Sequence, residues 1–427
     1  MITMRALPLL NSVAIALATT SAVSAGDWSA YRGPRGDGIS AENIKSEWAG
    51  GKPRELWRVP TPGGFSSFAA AGGRCFTLVT RAGAAQAETL IALDAATGKE
   101  LWSQPIGLGK YPGGGDSGAP DNKGGDGPRS TPTVAGDKVY TYSAEMVVHC
   151  FESATGKPVW QKDIIKEFHG ANIQWKSAAS PVVDGKLLFV AGGGPEQSLL
   201  AFDRETGAVA WKAGTELFTH ASPIVTTLHG VKQVIFVAQS GLVAHEAETG
   251  KPLWKFGHRY RTSTACLPIV SGDLVFITAG YEVGGAVCRV VKTGSGFAAE
   301  PVWSARGNKP AASLWSPPIN HDQHLYGMIS YKQFGDGPLK CLDLKTGALK
   351  WEKPGFGAGN VLLAGDTLVA LTDDGRVVLV KPSPESCQEI AQFKAVAGKC
   401  WSTPALSDGK LYVRSTKEGA CFDLGGK

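Results

Sequence analysis

Short apolar runs, separated by turns rich in Gly, Asp and Pro, fill most of this chain and recur in a fixed order. Each unit opens on a Ser/Thr-Pro step: Thr131-Pro132, Ser180-Pro181, Ser222-Pro223, Ser316-Pro317 or Thr403-Pro404. A short apolar run follows, then a turn such as Ala135-Gly136-Asp137, Asp184-Gly185 or Ser407-Asp408-Gly409. Next comes a β-rich run, as in Val139-Tyr140-Thr141-Tyr142, Leu187-Leu188-Phe189-Val190 or Leu411-Tyr412-Val413. A third apolar run ends at an acid, and the final run carries a Trp. Four such runs joined by tight turns predict one antiparallel sheet per unit. Proline fits the opening step because a strand's first residue tolerates a missing N–H.

The end of each unit is written as acid-x-x-Thr-Gly-x-x-x-Trp. Copies run Asp94 to Trp102, Glu152 to Trp160, Asp203 to Trp211, Glu246 to Trp254 and Asp343 to Trp351. A period of roughly 40–50 residues is the mark of a β-propeller. The acid can accept hydrogen bonds from N–H groups of the turn that follows it. Gly98, Gly156, Gly207, Gly250 and Gly347 supply the positive φ that closes the hairpin. Trp102, Trp160, Trp211, Trp254, Trp303 and Trp351 are expected to dock each outer strand on the next blade.

Counting outer strands through Phe393 leaves inner strands from Ser402 to Leu424 without an outer partner. Glu55-Leu56-Trp57-Arg58 reads like the missing strand. The expectation is an all-β, eight-bladed propeller of four-stranded antiparallel blades, closed by this N-terminal strand so that no edge is left open. Two blades depart from the pattern. One replaces the acid-Thr-Gly turn with Lys292-Thr293-Gly294-Ser295-Gly296, the other with Pro382-Ser383-Pro384.

The N-terminus reads as an export signal over residues 1–25. Arg5 supplies a positive start, Ala6 to Ala18 an apolar run, and Val23-Ser24-Ala25 a small-residue cleavage site. A buried N-terminal helix is the competing reading. Residues 26–54 form a lead-in and 55–427 the propeller. The apolar run falls short of the roughly 20 residues that span a bilayer, and no later stretch reaches that length. No Cys stands at the cleavage point to carry a lipid, so a periplasmic or secreted monomer without a membrane span is expected. Losing Arg5 lowers the formal charge from +5 to +4. The basic residues are dispersed, which excludes a nucleic-acid tract.

Cysteines stand at 75, 150, 266, 288, 341, 387, 400 and 421. An even count in an exported chain permits disulfides, with Cys387 and Cys400 closing one of the shorter loops. Several lie inside apolar runs, where buried free thiols serve equally well as small hydrophobes. No C-x-x-C occurs, which argues against zinc.

The segment Leu93-Asp94-Ala95-Ala96-Thr97-Gly98-Lys99-Glu100-Leu101-Trp102 and its copies resemble the PQQ-type propeller repeat, over essentially the whole mature chain. Trp28 to Ser40 resembles a lead-in found in exported bacterial PQQ-like repeat proteins. The resemblance implies an eight-bladed ring with tryptophan docking between blades. Two branches share it. Quinoprotein dehydrogenases hold pyrroloquinoline quinone (PQQ) and Ca²⁺ at the centre and oxidise alcohols or sugars. BamB-like scaffolds bind a partner in outer-membrane protein assembly. This chain has no adjacent cysteines, no C-x-x-C-His haem site and no extra length, unlike the first branch, and no lipoprotein cysteine, unlike the second.

Segments leading into the innermost strands ring one face. Their site candidates are Arg129, Lys176, His220, Arg261, Trp315, Lys399 and Trp401. Cations with tryptophan faces suit an anionic planar ligand. Mutual satisfaction around a wet channel would need the same polar lining. The long insertion Leu108 to Gly127 adds Asp116, Asp121 and Asp126, whose spacing faintly suits Ca²⁺ but lacks a closing Glu. No nucleophile triad or phosphate loop is present, and no catalytic residue is assigned. The expected function is an exported binding or scaffold protein working through its funnel face, without a cofactor, on an envelope protein or a small anionic ligand. The alternative is a PQQ-dependent dehydrogenase with PQQ and Ca²⁺.

Overall fold

The computed structural model describes residues 26–81, 86–119, 124–260, 264–294, 296–309, 311–329 and 335–425. The export signal expected at 1–25 lies outside them. The strands form eight sheets arranged as a propeller, each built on four antiparallel strands that are consecutive in the chain except at the point of closure. Blades 1 to 6 span 69–108, 133–163, 182–213, 224–257, 269–305 and 319–353; blade 7 spans 360–394 and blade 8 spans 405–423. The single helix among the described residues, Ile164–Phe168, is one turn at the end of blade 2, capped by Asp163. No described helix is long and apolar enough to cross a membrane.

Closure follows the expectation. Arg54–Pro60 pairs antiparallel with Glu418–Asp423, placing Trp57 opposite Cys421 and giving blade 8 its outer strand. Arg414 sits fully buried at this seam with no carboxylate partner among the described residues. Its guanidinium donates to Thr77 Oγ1 and to the carbonyls of Leu78, Thr61 and Gly63, which binds blade 8 to blade 1. Burial lowers its pKa to about 9.

The lead-in does more than the sequence suggested. Trp28 exchanges two backbone hydrogen bonds of 2.8 Å with Ala70 of blade 1, and Ser29 accepts from Val134 of blade 2. The chain then crosses to the other side of the ring. There the buried Arg32 donates to the carbonyls of Pro317 and Pro318 at 2.8 Å. Ile39–Ser40 finally adds a parallel strand to Asn360–Ala364, so blade 7 has five strands.

The repeat motif works as its residue types dictate. Asp94 Oδ1 accepts from Ala96 N, Thr97 N and Thr97 Oγ1 at 3.1, 2.8 and 2.8 Å, and Asp203 and Asp343 do the same in their turns. The tryptophan of one blade then donates its indole N–H to a carbonyl in the turn of the next: Trp102 to Ser153, Trp160 to Arg204, Trp211 to Ala247 and Trp303 to Leu344. Trp57 reaches Ala95 and Trp351 reaches Ser383, so the Pro382-Ser383-Pro384 turn still receives its tryptophan. Trp254 is the exception. It faces blade 5, whose turn lacks the motif, and it donates instead to Gln233 Oε1 of its own blade at 2.7 Å.

A cross-strand layer explains three of the cysteines, Cys150, Cys341 and Cys421. In blades 2, 6 and 8 the pairs Tyr140↔Cys150↔Trp160, Tyr326↔Cys341↔Trp351 and Tyr412↔Cys421↔Trp57 share one register. The small middle side chain lets the outer rings approach to 6.1, 6.1 and 5.9 Å. Blade 3 uses Ala201 between Phe189 and Trp211, at 5.9 Å. Such ring pairs add about 0.5–1.5 kcal/mol each beyond burial. All eight cysteines are free, Cys387 and Cys400 included, and burial raises the thiol pKa values, Cys150 and Cys421 to about 12. The Cys387–Cys400 bridge considered from loop length is therefore not formed.

Candidate functional site

The Ser/Thr steps at the inner strands are spent on the ring itself. Thr403 N donates to Ser67 Oγ, Ser67 N to Thr131 Oγ1, Thr131 N to Ser180 Oγ, and Ser180 N to Ser222 Oγ, at 2.8–3.1 Å. One hydrogen bond thus crosses each successive blade boundary from blade 8 to blade 4. On the far side the belt continues through Ala265 N to Leu314 O, Ser316 Oγ to Gly359 O, and Asn360 Nδ2 to Trp401 O. These hydroxyls and amides cannot leave without opening the ring.

Above the belt lies a cavity of about 660 Å³. Tyr31 of the lead-in lines it together with the belt residues Ser67, Ser180, Ser222 and Thr403. Its walls come from the loops that lead into the inner strands. Five of the seven residues chosen from the sequence line it: Arg129, Lys176, His220, Trp315 and Trp401. Lys399 joins indirectly, its Nζ 4.8 Å from the Trp401 ring centroid. Arg261 lies outside the described residues.

Tyr111 organises the cationic wall. Arg129 donates to its hydroxyl and to the carbonyl of Gly125. The Arg129 guanidinium stands 5.7 Å and the Lys176 ammonium 5.8 Å from the Tyr111 ring centroid. Trp175 and Lys176 both adopt φ of +65°, a conformation rare outside glycine that side chains at binding sites often occupy. His220 packs beside Trp175 at 6.3 Å. Burial, with the nearby charge of Arg129, pushes its pKa down to about 3, so the imidazole is neutral at pH 7.

The aromatic wall differs from the expectation of an open platform. Phe65 and Trp315 both stack on the Trp401 indole, at 4.8 and 4.5 Å between centroids. Trp401 is only 9% exposed. Trp315 spends its indole N–H on the Ala358 carbonyl. The accessible ring is Trp175, 44% exposed at the rim and parallel to Tyr281.

The acidic residues stand elsewhere. Asp116 accepts from Gly118 N, and the nearly buried Asp126 accepts from Tyr111 N, so both serve the loop. Asp121 lies outside the described residues. No Asp or Glu is among the described residues that line the cavity, and no three His, Cys, Asp or Glu side chains gather there or elsewhere among them. Glu88 was missed by sequence reasoning. It is fully buried in blade 1, one oxygen accepting from Ala144 N at 3.0 Å and the other without a partner. Burial raises its pKa to about 8. Tyr31, Phe65 and Tyr111 were missed too; only their aromatic type could have flagged them.

A planar tricarboxylate such as PQQ would find cations in Arg129 and Lys176. Among the described residues it would not find a carboxylate cluster to hold Ca²⁺, and Trp401 is already covered. The lining therefore fits the anion and not the metal.

The family model described as outer membrane protein assembly factor BamB matches residues 86–353. A curated outer membrane protein assembly factor BamB from Shewanella oneidensis is 26% identical over 268 residues, covering 59% of this chain. The match spans 63% of that relative, just under two thirds of its length. Among solved structures, quinohemoprotein alcohol dehydrogenase from Comamonas testosteroni is similar with a TM-score of 0.64 at 14% identity, over 94% of this chain and 81% of its own. BamB from Moraxella catarrhalis is similar with a TM-score of 0.58 at 14% identity, over 87% and 98%. Identity that low carries the likeness of fold alone.

Proposed function

The chain belongs to the PQQ-like repeat family described as outer membrane protein assembly factor BamB, and from that premise we propose that it is an exported binding or scaffold propeller. It works in the periplasm or as a secreted protein, and it engages an envelope protein or a small anionic ligand through the funnel face. One observation carries the reading: the loops of several blades converge on a cavity walled by cations and aromatic rings, above a belt that is fully committed to structure. Such a site can hold a partner, and burial keeps the His220 imidazole in its wall neutral at pH 7. The family's description as an outer membrane protein assembly factor supports an envelope partner.

The test is affinity capture from envelope extract, comparing the wild-type protein with a Trp175→Ala/Trp315→Ala variant. Specific capture that the variant loses supports the reading. The dehydrogenase alternative is tested in parallel by titrating PQQ with Ca²⁺ and assaying dye-linked oxidation of alcohols and sugars. Stoichiometric binding with turnover would overturn the scaffold reading.

A further inference from the structure

Two cations face the cavity over one ring, and no Asp or Glu is among the described residues that line it with them. Arg129 and Lys176 both stand within 6 Å of the Tyr111 centroid. Among the described residues neither forms an ion pair with a carboxylate, although surface cations such as Arg58, Arg289 and Lys255 do. Cation–π contact offsets only part of the repulsion and desolvation of two like charges held together. The backbone adds to the arrangement, because Lys176 is presented by two consecutive residues at φ +65°. Strain of this kind persists where the surroundings over-determine it. The third polar group nearby, His220, is neutral at pH 7 and so adds no further positive charge.

Resting on the reading of the funnel as the binding face, we propose that Arg129, Lys176 and Tyr111 form a subsite for a small polycarboxylate. Two carboxylates of one molecule each take a cation, and the Tyr111 ring lies beneath the skeleton between them. Bidentate pairing suits Arg129, while Lys176 acts as a point charge on a flexible stem. No metal is needed, because the lining supplies no acidic ligands for one to neutralise. Trp401 is covered by Phe65 and Trp315, so the skeleton need not be aromatic. Recognition lies in the number and spacing of the carboxylates.

The test uses the full mature protein, without added metal, and three probes: citrate, trimesate and a neutral trimethanol analogue of trimesate. Binding is followed by calorimetry and by the fluorescence of the cavity tryptophans. The expected result is saturable binding of one or both acids, weakening with salt, and none of the neutral analogue. Arg129→Gln and Lys176→Met should each weaken it by about tenfold or more. Lys176 is partly exposed, so K176M keeps the test open if R129Q fails to fold. Absence of saturable binding up to about 10 mM, equal binding of the neutral analogue, or unchanged affinity in K176M would overturn the subsite. The two readings separate cleanly. If no acid binds but envelope capture still depends on Trp175 and Trp315, the subsite falls and the funnel reading stands. If the acids bind and capture ignores those tryptophans, the subsite stands and the partner reading falls.

Discussion

The indole of Trp102 lies against Gly156 in the turn of the following blade, where a Cβ would stand 2.6 Å from the ring. The same holds for Trp57 on Gly98, Trp160 on Gly207, Trp211 on Gly250 and Trp303 on Gly347, at 2.6–2.8 Å. The motif glycine therefore serves twice. It adopts a φ near +70° that closes its own hairpin, and it leaves room for the tryptophan of the blade before it. The Gly of one repeat is coupled to the Trp of the repeat before it, while the acid and Thr act within their own turn.

Gly156→Ala should therefore cost more than the backbone alone explains. Gly136 is the control, with φ +63° and nothing within 4 Å of the place a Cβ would take. Gly136→Ala should lose about 1–2 kcal/mol from the left-handed backbone. Gly156→Ala should lose at least about 1 kcal/mol more, because the indole must move. Urea unfolding of both variants checks this; equal losses would remove the docking role.

Trp254 and Gln233 make the substitute dock in blade 4. Both are buried, and the indole N–H has Gln233 Oε1 as its acceptor. Gln233→Leu should cost about 1–3 kcal/mol by orphaning that donor. Adding Trp254→Phe should then cost less than it does in the wild-type background. A double-mutant cycle with additive losses would show that the pair is not coupled.

Architecture was legible because its signals are local. Short apolar runs, turn glycines and the recurring Trp each need only a few neighbouring residues to be read. Even the closing strand was visible, since Trp57 stands in a motif tail without its front half. The site was legible in residue type and not in geometry. Arg129, Lys176, His220, Trp315 and Trp401 do converge, because loops leading into inner strands must meet at the ring axis. What they touch depends on segments far away in sequence. Tyr111 comes from the long Gly-rich loop, Tyr31 from the lead-in and Phe65 from the entry to blade 1, and no local pattern tells where those rings land. The Ser/Thr hydroxyls of the opening steps show the same limit: their acceptor role in the belt exists only once neighbouring blades are in place.

Thiol chemistry should follow burial. Seven cysteines are buried, and only Cys387 is partly exposed. Its thiol is also raised, to about 11, by burial. A thiol reagent at mildly alkaline pH should label one residue slowly in the native protein, identified as Cys387 by mass spectrometry, and all eight cysteines in denaturant. Fewer than eight in denaturant without reductant would reveal a disulfide in the isolated protein.

Glu88 sets the last expectation. Desolvation raises its pKa from 4.5 to about 8, opposed by the backbone N–H of Ala144 and the charge of Arg129, and reinforced by Glu145. Between pH 4.5 and 8 the unfolded chain has given up this proton while the folded protein keeps it. The folded state then binds more protons, so this group lowers stability as pH rises through that window, by up to about 1.4 kcal/mol per pH unit. Glu88→Gln keeps the shape and an acceptor for Ala144 N but cannot ionise. The variant should match the wild-type protein near pH 5 and exceed it by a few kcal/mol near pH 8–9, because all other titrations cancel in the difference. Denaturant melts of both proteins across that range measure it. A gap that stays constant with pH, or narrows as pH rises, would mean that Glu88 is ionised at neutral pH and already paired with Arg129. Arg129 would then be compensated from within the protein and would no longer be available to a carboxylate in the cavity.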